Sequence, residues 1–373
     1  MDERRVTQTC FPGRYIQGPD ALGKIPSVVG AFGGKALMIA DPFVADHVLP
    51  EVKHFFSGAE LVIEKFGGEC TDAEIKRLAD TGSEAGCNSV IGFGGGKTLD
   101  TSKAVSFYMK SPVVIVPTLA STDAPCSARA VIYTESGEVV RYLDLPRNPD
   151  VVLLDTKLIV KAPVRFLISG IGDALSTWFE AESCMAKGAA NSTCGAGHQH
   201  PGSMTSYALA KLCYDTLKEY GVLAVSSAKS KACTPAFEKI VEANTLLSGL
   251  GFESGGLGAA HAIHNGLSEL SECHKFMHGE KVAFGVLAGL FFTDKGKDVI
   301  DEVYTLCESV GLPTTLADLG ISEVTDEKLE IVAKRTCVEE ETIHNELKPG
   351  VVDSVIQAIR AADSEGRRRK GSK

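Results

Sequence analysis

Ser89-Val-Ile-Gly-Phe-Gly-Gly-Gly-Lys-Thr-Leu-Asp100 is the stretch that decides the fold. It begins as a short apolar run, passes through three glycines, and enters a helical pattern from Thr98 to Tyr108. A buried strand that turns through glycine into a helix is the usual phosphate-binding corner of a nucleotide-binding α/β fold. Glycine lets the backbone approach a pyrophosphate without a Cβ in the way. The helix N-terminus adds free N–H groups and positive partial charge. The spacing fits neither Gly-x-Gly-x-x-Gly nor a P-loop. A plain tight turn is the alternative, but the preceding strand, Lys97 and the following helix favour a phosphate.

The segments around this loop alternate in the same way. Lys35 to Ala40, Leu61 to Phe66, Val113 to Val116 and Val151 to Leu154 read as short strands. Asp72 to Glu84 has helical spacing, with Ile75, Leu78 and Ala79 on one face. Short apolar strands alternating with helices imply a parallel sheet covered on both faces. The texture changes near Pro163. Beyond it the patterns are helical: 166–186, 204–220, 235–250, 258–267, 280–292, 299–310, 326–337 and 351–362. The expectation is an α/β dinucleotide-binding domain over residues 1–162 and an all-helical domain over 163–373. Gly188 to Gly202 reads as a surface loop, and the basic end from Gly366 to Lys373 as a frayed terminus.

At 373 residues the chain is too long for one ordinary core and comfortable for two domains. Its net charge of −10 would be repelled by a nucleic acid backbone or an anionic membrane, so neither is expected as a partner. Met1 to Arg5 has no apolar run behind it, and Val113 to Ala120 is too short to span a bilayer. Eleven scattered cysteines with no Cys-x-x-Cys pair read as reduced thiols of a cytoplasmic protein.

Chemistry-bearing residues fall into two groups. Asp41, at the end of the first of these strands, suits a ribose diol and would repel a 2′-phosphate, which points to NAD over NADP. Pro117-Thr-Leu-Ala-Ser-Thr-Asp-Ala-Pro-Cys126 places hydroxyls and Asp123 after another strand, at the edge where such folds bind ligands. In the helical half, Asp173, His261 and His278 stand in apolar or small-residue surroundings. One carboxylate and two imidazoles suit catalytic zinc, which keeps a position open. Helix capping is the plain alternative for Asp173. His264 shares a helix face with His261; a fourth ligand is one reading, and a partner of the ligands or a substrate contact is the favoured one. His274 ranks lower. His198 and His200, in the Gly/Ala-rich loop, read as solvent-exposed.

These residues carry a family resemblance. Pro12-Gly-Arg-Tyr-Ile-Gln-Gly18, Phe66-Gly-Gly-Glu-Cys70, Gly94-Gly-Gly-Lys-Thr-Leu-Asp100, Ser121-Thr-Asp-Ala-Pro-Cys-Ser127 and Gly170-Ile-Gly-Asp-Ala-Leu175 resemble the glycerol dehydrogenase family of the iron-containing alcohol dehydrogenase superfamily. So do Gly251-Phe-Glu-Ser-Gly-Gly-Leu257, His261-Ala-Ile-His-Asn-Gly266, His278-Gly-Glu-Lys-Val-Ala-Phe-Gly285 and Glu341-Thr-Ile-His-Asn345. The matches run in order along nearly the whole chain.

The resemblance implies a dehydroquinate synthase-like subunit with its active site in a cleft between the domains. It implies NAD at Asp41, Gly95, Gly96, Lys97, Asp100, Thr118, Ser121, Ser127, Arg129 and Tyr133, and zinc on Asp173, His261 and His278. Arg129 departs from the apolar residue usual in the family. Asp123 matches a position that touches glycerol, and His264 is a candidate proton acceptor. The implied reaction passes a hydride from C2 of glycerol to NAD and gives dihydroxyacetone, with zinc binding the diol. Family members form homo-oligomers, often octamers. Iron-using relatives carry Asp-x-x-x-His where this chain has Asp173 and Thr177. The loss of that imidazole leaves three ligands, which suits zinc. Two alternatives stand beside this reading: a dehydrogenase of another vicinal diol or a phosphorylated polyol on the same fold, and a non-catalytic NAD-binding sensor.

Overall fold

The computed structural model describes residues 6–191 and 200–371. Six parallel strands form the central sheet: β1 (Tyr15–Gly18), β2 (Lys35–Ala40), β3 (Glu60–Lys65), β4 (Ser89–Gly94), β5 (Val113–Pro117) and β8 (Val151–Asp155). Their order is β1-β8-β5-β4-β2-β3. Strands β4, β5 and β8 are buried on both faces, which is why their sequences are continuous apolar runs. Alternate residues point to opposite sides. Met38, Ile91, Phe93, Val114 and Leu153 pack on one face with helix α1 (Ile25–Ala31). Leu37, Ile39, Val90, Ile115 and Val152 pack on the other, with helices α2 (Asp72–Glu84) and α3 (Gly96–Met109). That second core continues without a break into the helical half.

The strand order reverses between β2 and β4. Successive strands step outward from β2 to β3 on one side and from β4 to β5 to β8 on the other. Ligands of open α/β sheets bind at this switch point, beyond the carboxyl ends of the strands. Asp41 and Gly94 meet there, and a Cβ on Gly94 would lie 2.7 Å from Cβ of Asp41. A second, antiparallel pair, β6 (Arg129–Tyr133) with β7 (Val139–Asp144), was not expected from the sequence, nor was β1.

Among the described residues, the chain from Val164 onward is helical apart from one isolated bridge, Ala190 to Pro201. The main helices are α4 (Val164–Lys187), α5 (Met204–Lys229), α6 (Pro235–Glu242), α7 (Ser248–Gly255), α8 (Ala259–Leu267), α9 (His278–Phe292), α10 (Lys297–Val310), α11 (Asp326–Thr336) and α12 (Val352–Gly371). Helices α6 and α7 run on through a π turn, Ala243–Leu247. No helix among the described residues is long and apolar enough to cross a membrane.

Two local expectations are corrected. The basic end is not frayed: α12 continues to Gly371, held by Arg369 on Glu308 and Asp301 and by Lys370 on Asp318. Its polarity hides ion pairs rather than signalling disorder. His200 is half-buried, not exposed, and its carbonyl accepts a hydrogen bond from Asn191 N–H. His198 and most of that loop lie outside the described residues. The ten described cysteines are free thiols, six of them buried.

Candidate active site

Helix α3 starts directly from β4 at Gly95, whose extended backbone carries no side-chain cap. The space in front of Gly96 is open, with no heavy atom within 4 Å of where its Cβ would sit. The uncapped N-terminus of this 14-residue helix, faced by open space, has free N–H groups of the kind that can receive an anion. Thr118, which follows β5, donates its N–H to Gly94 O at 3.0 Å, so its loop borders the same corner. Asp41 caps the turn after β2, accepting from Phe43 N–H at 2.9 Å. Lys97 is ion-paired with Glu69 and lies over the Tyr133 ring, 4.8 Å from its centroid.

The structure brings Asp41, Gly95, Gly96, Lys97, Thr118 and Tyr133 to this corner. Asp100 instead is buried and ties α3 to β6, with Lys103 Nζ at 3.3 Å and Val131 N at 3.0 Å. The Arg129 guanidinium is engaged on the hairpin, with Asp144 at 2.7 Å and the ring of Tyr142. Ser127 Oγ donates to Ala124 O, and Ser121 O accepts from Ser169 Oγ on α4.

The second centre is built where α4, α8 and α9 cross. The crossing is close because it is glycine on glycine: a Cβ on Gly279 would stand 1.8 Å from Ser169 O, and one on Gly172 would stand 2.3 Å from Gly279 O. The two backbones therefore touch, and Asp173 on α4 comes beside His278 on α9. Asp173 is the tenth residue of its helix and not a cap. Donor atoms of Asp173, His261 and His278 lie within 4.8 Å of one another.

The Nε2 atoms of His278 and His261 face Asp173 Oδ1 at 3.1 and 3.6 Å, yet this buried oxygen makes no well-formed hydrogen bond among the described residues. Three lone-pair donors around one point fit a cation better than they fit one another. The far nitrogens are held as well: His261 Nδ1 by Glu180 Oε2 at 2.7 Å, and His278 Nδ1 by His264 Nε2 at 3.0 Å. Metal-bound imidazoles are oriented in just this way. Burial opposes the charge on Asp173, but the His278 and His261 beside it hold its carboxyl well below the usual range. Burial, and then His278, Lys281 and His261, pull His264 well below the usual histidine range.

The two centres are joined by the loop after β5. Asp123 N–H donates to Asp173 Oδ2 at 3.2 Å. Its own carboxylate accepts from Ser248 Oγ at 2.7 Å, and Ser248 is 2.8 Å from Thr177 Oγ1. Thr177 thus supports Asp123 through Ser248. Burial and the charge of Asp173 push the Asp123 carboxyl well up.

Residues 12–156 match the model of the iron-containing alcohol dehydrogenases. A glycerol dehydrogenase of Thermotoga maritima is 59% identical over 98% of this chain and 99% of its own length. One from Escherichia coli is 48% identical over 98% of each. The chain belongs to the iron-containing alcohol dehydrogenase family, within its glycerol dehydrogenase group. The crystal structure of glycerol dehydrogenase from Schizosaccharomyces pombe superimposes with a TM-score of 0.92 at 38% identity, over 98% of this chain and 93% of that one. Membership of this family fits NAD and a metal ion at the two centres.

Sequence reasoning missed Glu180, Ser248 and Lys103. Glu180 had a usable signal, since it lies two helical turns after Asp173 on the same face. Lys103 had one too, standing one helical turn after Asp100 on the same helix. Ser248 had none, because its partners Thr177 and Asp123 are distant in sequence.

Proposed function

We propose that this protein oxidises glycerol to dihydroxyacetone with NAD, the C2 hydride passing to the nicotinamide and the hydroxyl proton leaving to solvent. The observation that carries this reading is the contact between Asp123, in the loop bordering the cofactor corner, and Asp173, in the three-donor cluster. A cation held by that cluster would stand one residue away from the loop that borders the proposed nucleotide corner. A divalent cation there, which we take to be zinc from the donor set, supplies Lewis acidity that makes a substrate hydroxyl more acidic. Asp123, fixed by Ser248, orients the diol. Gly95 and Gly96 receive the pyrophosphate, with Lys97 exchanging Glu69 for phosphate. Residues 1–162 act as the nucleotide-binding part and 163–373 as the metal-binding part. Free thiols suit a reducing, cytoplasmic setting, and sedimentation would read the homo-oligomer that the family implies.

The test is NADH formation from NAD and glycerol, before and after chelation and after zinc is restored. Activity lost on chelation and recovered with zinc supports the substrate and the metal together. A zinc-loaded, NADH-binding protein without activity removes glycerol as substrate and turns the search to other diols and phosphorylated polyols.

A further inference from the structure

The segment from Glu341 to Asn345 takes no part in the reading above, yet Glu341 stands at one end of a hydrogen-bond chain that reaches the metal cluster. Asn265 Nδ2 lies 3.0 and 3.1 Å from the two carboxylate oxygens of Glu341, which Arg335 also pairs. An ionised carboxylate only accepts, so the amide nitrogen must face it. The amide oxygen then faces the other way, where it meets His264 Nδ1 at 3.0 Å. An amide oxygen also only accepts, so His264 Nδ1 carries a proton. A neutral imidazole has one ring proton, so His264 Nε2 offers a lone pair. That lone pair lies 3.0 Å from His278 Nδ1, which must donate. The remaining nitrogen of His278, Nε2, is left with its lone pair facing Asp173 Oδ1 at 3.1 Å.

We propose that Glu341, Asn265 and His264 are positioning residues that fix the tautomer of His278, so that its Nε2 is presented to the cation. The proposal rests on reading Asp173, His261 and His278 as the metal site. Of the roles the sequence left open for His264, it selects partner of a ligand over substrate contact or proton acceptor, because both ring nitrogens are engaged. The two imidazole ligands are thus set by two different carboxylates. Glu180 acts on His261 directly, whereas Glu341 acts on His278 through an amide and a second imidazole.

The test is the zinc dissociation constant of the full-length protein, measured by competition with a chromophoric chelator and without NAD or glycerol. Asn265→Leu and His264→Phe each delete an acceptor in the chain, and each should weaken zinc binding by about 10- to 100-fold. Asn265→Asp keeps the oxygen that faces His264. With Arg335 there to balance the added charge, it should bind zinc within a few-fold of the unaltered protein. An unchanged far-ultraviolet circular dichroism spectrum and thermal unfolding midpoint show that each variant is folded, and two deletion variants leave one to decide if the other does not fold. Zinc affinity retained in either folded deletion variant overturns the proposal. So does an equal loss in Asn265→Asp and Asn265→Leu, because only the first keeps an acceptor facing His264. Failure here leaves the glycerol assignment standing, whereas an unaltered protein that binds no zinc removes the metal reading itself.

Discussion

At the carboxyl edge of the sheet the chain offers backbone: the bare start of α3 and open space before Gly96. In the helical half it offers side chains: Asp173, His261 and His278, with the far nitrogen of each histidine held by a partner. Both regions use glycine, but for opposite ends. Gly96 keeps space empty for a ligand, whereas Gly279 fills its space with another helix. The first kind of site suits a group that brings its own charge and shape. The second must hold lone pairs in place against their wish to bond elsewhere, so it needs support from many parts of the chain.

The comparison is most easily broken at Asp173. Asp173→Asn should abolish stoichiometric zinc and lower kcat/KM for glycerol by at least about 10³-fold, with NADH binding kept. Retained zinc and activity would place the metal elsewhere. Gly279→Ala comes next, because its Cβ would overlap the Ser169 carbonyl. A cost of at least about 3 kcal/mol is expected, read as a fall in the thermal midpoint on the order of 5 °C or more.

Glu253 tests whether the two regions are latched together. From α7 it accepts Ala128 N–H and pairs with Asn148, both in the sheet-bearing half. Burial pushes its carboxyl up to about 7, against the pull of Ala128, Asn148, Lys103 and Arg129. The folded chain therefore holds this proton more tightly than the unfolded one. Stability from the group is full below about 4.5 and is lost as pH rises through about 7, by up to roughly 3 kcal/mol. Denaturant midpoints of the unaltered protein and of Glu253→Gln should diverge between pH 5 and 8; parallel curves would discard the latch. The smallest effect is expected at Gly96. Gly96→Ala meets no neighbour, so stability should stay within about 0.5 kcal/mol. The KM for NAD should rise roughly tenfold, or about 1.4 kcal/mol. An unchanged KM would mean that the pyrophosphate lies elsewhere.

Strands buried on both faces, such as Val113–Pro117 and Val151–Asp155, were legible in the sequence because double burial writes an unbroken apolar run. The edge strand Glu60–Lys65 was legible too, from the short apolar run Leu61-Val-Ile63. Tyr15–Gly18 was not, being a four-residue edge strand that is half-buried throughout. Val139–Asp144 was missed because its exposed face carries no such run. Asp173, His261 and His278 could be named because a charge or imidazole in apolar surroundings stands out. Of their supports His264 could be named as well, whereas Glu341 and Asn265 look like ordinary surface polar residues until the fold sets them side by side. The basic end misled for a related reason: Arg369 and Lys370 read as solvated until Glu308 and Asp318 arrive from other segments.

A π turn is a helix that carries one residue more than its hydrogen bonding needs. The one at Ala243–Leu247 lies between Pro235–Glu242, anchored on the sheet side, and Ser248–Gly255. Deleting a single residue there would restore an ordinary helix and leave every composition-based property of the chain intact. It would also rotate all that follows by about 100°. Ser248 would swing away from Asp123, and Glu253 from Ala128 and Asn148. At this point of the chain the count of residues matters as much as their kind, so substitutions here should be tolerated far more readily than a one-residue gap.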